Sequence, residues 1–165
     1  MDNLPELTAL AAGGARFVRL ARGEKRPLGC AWQTKSTDAV DVVAAWLRSG
    51  SNVGLLLGEA SALVDVEYDE PAGRDQLAAF GVLDLPTPTW RSARGEHRLF
   101  RWAPWMPPTA ALKVDEIEIR IGGRAAQSVL PPSRHPAGGT YEWIVPPSVV
   151  PVAEFPAQLL AGAYA

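Results

Sequence analysis

The chain has 165 residues, 47% hydrophobic and 21% charged, with a formal net charge of -2. That length suits one domain, burying about 70% of its unfolded surface in an ordinary core that needs no covalent staple. One cysteine, Cys30, excludes an internal disulfide and a Cys-rich zinc site, and the small negative charge argues against indiscriminate nucleic-acid binding.

Asp2 and Glu6 stand where a secretory signal carries positive charge, and no apolar run approaches bilayer length, so a cytoplasmic protein is expected, with no membrane association. Asn3 to Ala12 predicts a short helix with Pro5 near its start. ARFVRLA (15–21) predicts a strand, followed by the turn-rich GEKRPLGCAWQTKSTD. Ser36, Thr37 or Asp38 can cap a helix running to Arg48, with Val42, Val43, Trp46 and Leu47 as its apolar stripe.

NVGLLLG (52–58) is a continuous apolar run suited to a central strand, and LVDVEYDE (63–70) is expected as its neighbour. DEPAGRDQLAAFG predicts a helix after Pro71, and PTPTW (86–90) an irregular connection. HRLFRW (97–102), EIEIRI (116–121), AAQSVLP (125–131) and TYEWIV (140–145) predict further strands, the last two joined by PPSRHPAGG. AEFPAQLLAGAY closes with a helix interrupted early by Pro156. Mixed strands with three or four helices, and no repeat or flexible linker, give one α+β domain spanning residues 1–165.

Charge is unevenly placed. Residues 1–90 hold eight Lys/Arg against twelve Asp/Glu, whereas residues 91–135 hold eight against four. Within LVDVEYDE, alternation puts Asp65, Glu67 and Asp69 on one face and Val64, Val66 and Tyr68 on the other. EIEIRIGG repeats the pattern, with Glu116, Glu118 and Arg120 opposite Ile117, Ile119 and Ile121. Between them SARGEHRLF sets His97 after Gly95, which lets the backbone turn closely, with Arg98 and Arg101 nearby.

Acids on two strands, an intervening histidine and a local excess of arginine suit a metal-dependent phosphoryl-transfer site, in which carboxylates hold Mg²⁺ or Mn²⁺ and cations hold phosphates. The alternative for the same residues is a solvent-facing ladder of acids paired with arginines. Lys25, Arg26 and Lys35 frame a turn and can either guide phosphates or stand solvated. Trp46 and Trp143 fit a core, while Trp102 and Trp105, in RWAPWMPP, suit contact with a strand or partner.

The motifs in order, KRPLGCAWQTKSTD, the helix ending in Trp46, NVGLLLG, DVE, GEH, EIR, GG, PPSRH and GGTYEW, resemble the bifunctional DNA primase/polymerase (Prim-Pol) branch of the archaeo-eukaryotic primase superfamily, over about Ala11 to Leu160. The resemblance implies a primase-like fold: a mixed β-sheet core with flanking helices and an RRM-like catalytic module. It implies a template-dependent nucleotidyltransferase that joins a nucleoside triphosphate to a 3′-hydroxyl with two metal ions, Mg²⁺ or Mn²⁺. Asp65, Glu67 and Glu118 would be the catalytic metal ligands. His97, Arg120, Ser133 and His135 would meet the nucleotide, and Arg94, Arg98 and Lys35 the single-stranded template and primer.

Three departures stand out: Asp-x-Glu rather than Asp-x-Asp, Glu118 where Asp is usual, and Gly95 where Ser is common. They keep open a catalytically weak or inactive domain that only binds nucleotide or nucleic acid. A metal-dependent nuclease uses similar acids; a relaxase fits less well, for want of a His-x-His pair. No Walker A motif occurs, so a helicase is expected on another chain or on a C-terminal part of a longer replication protein.

Overall fold

The computed structural model describes residues 3–123 and 126–161. Helix α1 (Leu4–Ala12) places Pro5 in its first turn, where an N–H would have no helical partner. It is followed by β1 (Phe17–Leu20), a 3₁₀ turn (Trp32–Lys35) and α2 (Val40–Arg48). None of the three expected residues caps α2: its N-cap is Ala39, without a side-chain cap, and Thr37 only shapes the approach, its Oγ1 accepting the Ala39 N–H at 3.1 Å. Helix α2 turns Val43 fully inward and rests Trp46 and Leu47 half-buried on the core, while Val42 faces solvent.

Strand β2 (Asn52–Leu56) is buried along its length between β1 and β8 (Gln127–Val129), both antiparallel to it. That is the central position its apolar run predicts. The neighbouring-strand expectation for 63–70 fails, because β3 (Leu63–Tyr68) belongs to another sheet and meets the end of β2 only through a Gly58–Leu63 bridge. Positive φ at Gly58 (91°) and Ala62 (56°) bends the intervening turn and sends the chain across.

The larger sheet runs β6 (Ala111–Val114), β7 (Ile117–Arg120), β3, β5 (Glu96–Arg101), β4 (Thr89–Arg91) and β9 (Glu142–Val145), with β10 (Ala153–Glu154) parallel to β5. Strands β4, β6 and β10 lie where the sequence predicts no strand: a loop is expected at PTPTW and a helix start at AEFP. At three, four and two residues they are too short for a period of two to declare itself. The closing helix is α4 (Gln158–Ala161); the remainder of the expected helix, 162–164, and Ala125 of the expected strand lie outside the described residues.

One face of the large sheet buries Val64, Val66, Phe100, Ile117 and Ile119 under Leu77 of α3 (Pro71–Ala79) and Leu159 of α4. The other meets the small sheet through Leu63, Trp90 and Leu99. The Trp90 indole N–H donates to the Val129 carbonyl at 3.0 Å and fastens the two sheets together. Among the described residues no helix is long and apolar enough to cross a membrane.

Candidate metal centre

Antiparallel register decides which side chains share a face. Glu67 stands opposite His97 on one side and Glu118 on the other, and Asp65 opposite Leu99 and Arg120. The alternation in three strands therefore converges on one surface, where β8 leans in from the small sheet.

His97 Nδ1 lies 2.7 Å from Asp65 Oδ2 and 2.9 Å from Glu67 Oε2. Ser128 Oγ donates to the same Asp65 oxygen at 2.5 Å. Arg120 Nη2 donates to Glu67 Oε1 at 3.1 Å, Nη1 donates to the Gln127 carbonyl at 3.1 Å, and Nε lies 3.1 Å from Glu118 Oε1. The Asp65 side chain is fully buried, while those of Glu67 and His97 are each 12% exposed, so the cluster opens on the Glu67–His97 side.

Charge balance follows from this geometry. Burial works to lower the His97 pKa, but Asp65 and Glu67 outweigh it and hold the imidazole protonated, its pKa raised to about 10. Burial would raise Glu67, yet His97 and Arg120 bring it below the ordinary carboxylate value. Glu67 also helps burial push the Tyr141 phenol up to about 12.

Asp65, Glu67 and His97 each present a ligand atom within 4.8 Å of the others. Asp65 Oδ1 is buried without a hydrogen-bond partner, a cost that coordination to a cation removes. Two carboxylates fit a hard divalent ion such as Mg²⁺ or Mn²⁺, so the cluster can hold a metal. Glu118, expected as the third carboxylate, shares the face but not that trio of ligand atoms; it is drawn toward Arg120 and is one-third exposed.

Other expected site residues divide sharply. His135 lies at the rim, its ring 5.4 Å from that of Tyr141, which is 6.5 Å from His97. Burial and Lys25 lower its pKa. Arg94 is exposed, pairs with Asp69 and Glu70, and shares a cavity of about 230 Å³ with Glu67 and Glu118. Lys35 is exposed at the end of the 3₁₀ turn, outside the cluster.

Two expectations are corrected. Arg98 falls on the opposite face from His97, 5% exposed and bonded to Glu96 at 2.7 Å, so it is turned away from any strand at the cluster. Ser133 is buried with its Oγ accepting the Val53 N–H at 2.9 Å, which pins the loop to β2.

Sequence reading missed Ser128, Trp90 and Tyr141. Trp90 stacks on His97 at 4.7 Å and 6°, fixing the ring that bridges both acids. Its aromatic bulk ahead of a strand was a signal, but its register with His97 was not. Gly95 was legible: a Cβ there would stand 1.7 Å from the Tyr68 carbonyl oxygen, so only glycine lets this turn pack against β3.

A mixed α/β domain with antiparallel sheets and a buried Asp-Glu-His cluster is the class of protein that fold and site define. Residues 7–158 match the family described as bifunctional DNA primase/polymerase, N-terminal, and the chain belongs to that family. No curated protein matches it.

Proposed function

We propose that the chain is the catalytic domain of a DNA primase/polymerase, a template-dependent nucleotidyltransferase joining a nucleoside triphosphate to a 3′-hydroxyl on single-stranded template and primer. Family membership over residues 7–158 implies that chemistry. The observation that carries the site assignment is the unpartnered, buried Asp65 Oδ1 beside Glu67 and His97. On this reading residues 1–165 form one domain of the archaeo-eukaryotic primase-like fold, the large sheet with α3 and α4 forming its RRM-like catalytic module.

Asp65 and Glu67 would hold Mg²⁺ or Mn²⁺, with Glu118 at the edge of the same charge field. Bound there, such cations would supply positive charge to activate the 3′-hydroxyl and to neutralise the triphosphate and leaving pyrophosphate. The chain's own residues do the rest. Asp65 is oriented by Ser128 and His97. His97 Nδ1 faces the acids, which leaves Nε2 to donate to a triphosphate oxygen. Arg120 sets Glu67 and adds positive charge beside the phosphates.

One observation favours a second reading, a domain that binds nucleotide or nucleic acid without catalysis: His97 and Arg120 already neutralise Glu67. Extension of labelled primed and unprimed templates with each nucleotide type, in Mg²⁺ or Mn²⁺, separates the two. Metal-dependent incorporation supports the polymerase; binding without incorporation supports the second reading, and strand degradation a nuclease.

A further inference from the structure

A cavity of about 380 Å³ lies where the start of α1, the end of α2 and the loop after β8 meet. Leu4, Leu7, Ala44 and Leu47 line it, and so do three arginines, Arg22, Arg48 and Arg134. The ion pairs among the described residues involve Arg26, Arg94, Arg98, Arg101 and Arg120, and none of these three. Arg48, in the last turn of α2, also offsets the helix dipole, but that role asks for one cation rather than three. Among the described residues no carboxylate lines the cavity.

Hydrogen bonds and a glycine fix the chain beside two of the three arginines. The Arg134 backbone N–H donates to Asn52 Oδ1 at 2.9 Å, and Asn52 Nδ2 donates to the Arg134 carbonyl at 2.8 Å and the Glu24 carbonyl at 2.9 Å, so one buried asparagine ties together both loops that supply arginines. At Gly50, φ is 89° and a Cβ would come within 3.3 Å of the Arg22 guanidinium carbon. A bare backbone there gives Arg22 its place.

The cleft and the metal centre both border the small sheet. Asn52 is three residues before Leu55, whose cross-strand partner Ser128 bonds Asp65. Between the two, Lys25 reaches the metal side through its carbonyl, which accepts Gln127 Nε2 at 2.8 Å, and His135 follows Arg134 to the rim beside Tyr141.

We propose that the Arg22–Arg48–Arg134 cleft binds backbone phosphates of the single nucleic-acid strand whose end lies at the metal centre. This rests on the polymerase reading for the identity of the strand. The contact is sequence-independent, since guanidinium groups on phosphates carry no base information. It sets a minimum strand length for tight binding, because a strand too short to span both sites loses the cleft.

The test is fluorescence anisotropy of a labelled single-stranded oligothymidylate against salt, without metal or nucleotide, for the parent, for R22Q/R48Q/R134Q and for R22K/R48K/R134K. The glutamine variant should bind at least ~10-fold more weakly at low salt, with the slope of log affinity against log salt reduced by about 2, from three phosphates at ~0.7 each. The lysine variant should keep most of that slope, and both should melt with the parent, since the three residues are exposed.

A parent that binds no strand, or a correctly folded glutamine variant with unchanged affinity and slope, overturns the cleft. So does a variant that weakens only a free deoxynucleoside triphosphate. Lost strand binding in a protein whose parent performs no synthesis leaves the cleft standing and sinks the polymerase reading; synthesis by the parent with unchanged variant binding does the reverse.

Discussion

The two faces of the large sheet are made by the same strands, yet they solve opposite problems. Val66, Ile117 and Ile119 are wholly removed from water under α3 and α4, where burial of about 25 cal/mol per Å² of apolar surface stabilises the fold. One residue away in each strand, Asp65, Glu67 and Glu118 put like charges on the other face, where they repel unless His97 and Arg120 answer them. A single strand can therefore hold a core and a reactive site a side chain apart, provided the register brings cations opposite the acids. The comparison predicts that variants on the apolar face lose stability and those on the charged face lose function.

The largest effect is expected at Asp65. Asp65→Asn keeps an oxygen for Ser128 but removes the charge, and metal-dependent extension should fall more than ~100-fold, beyond the range for merely supporting a metal site. Asp65→Ala should in addition lower stability. An anionic cluster on its own would gain from losing a carboxylate, but here His97 and Ser128 both bond Asp65, and stripping one partner from a buried pair costs about 3 kcal/mol or more. Normal extension by folded Asp65→Asn would remove this face from the chemistry.

The apolar face supplies the counterpart. Ile119→Ala, one residue from Glu118 but fully buried, should cost about 2–5 kcal/mol of stability. Per folded molecule its extension rate should match the parent's. A rate loss at full stability would mean that the two faces are not separable.

His97 joins both functions. His97→Ala should weaken triphosphate binding by about 1.5–3 kcal/mol, the value of a hydrogen bond to a charged group, read by nucleotide titration. Its protonation also gives a pH signature in the metal-free protein. The folded pKa of about 10 lies above the ordinary 6.5, so the stabilisation is full below 6.5 and is lost as pH rises through about 10. Melting temperatures should decline across that window in the parent and stay flat in His97→Gln; parallel curves would contradict the paired imidazolium.

What was legible follows from the kind of signal involved. Asp65, Glu67 and the apolar face could be read because alternation within one strand is local, and Gly95 because its neighbours Ser92 to His97 spell a turn. Arg98 directly follows His97, so alternation already sends it to the far face, where it pairs with Val66; its charge, not its place in the strand, suggested a strand contact. Ser128 acts through a contact 63 residues away in sequence, beyond any spacing rule, and the stacking of Trp90 on His97 depends on the β4–β5 register, which spacing along one strand does not give. The split into two sheets was hidden for the same reason: a glycine turn reads alike whether it closes a hairpin or crosses to a new layer.

The smallest expected effect is at Glu118, and it decides how far the charged face extends. A third metal ligand shortened by one methylene would be displaced by roughly 1 Å, a misplacement that can cost ~10²-fold. In the structure, however, the Glu118 carboxylate lies against Arg120 Nε, is one-third exposed and stands outside the Asp65-Glu67-His97 trio. Its pairing is then worth about what a partly exposed ion pair gives, under ~1 kcal/mol, and Glu118→Asp should change the extension rate by less than ~10-fold in either direction. Arg120 remains anchored by Glu67 and the Gln127 carbonyl, so the rest of the cluster should not move. Steady-state extension for Glu118→Asp, alone and with Glu67→Asp, reads the outcome directly. A hundredfold loss in the single variant would make Glu118 a ligand once nucleotide and metal are bound. A double variant faster than the parent would instead mark a cluster whose backbone still suits aspartate, which is the outcome expected of the binding-only domain.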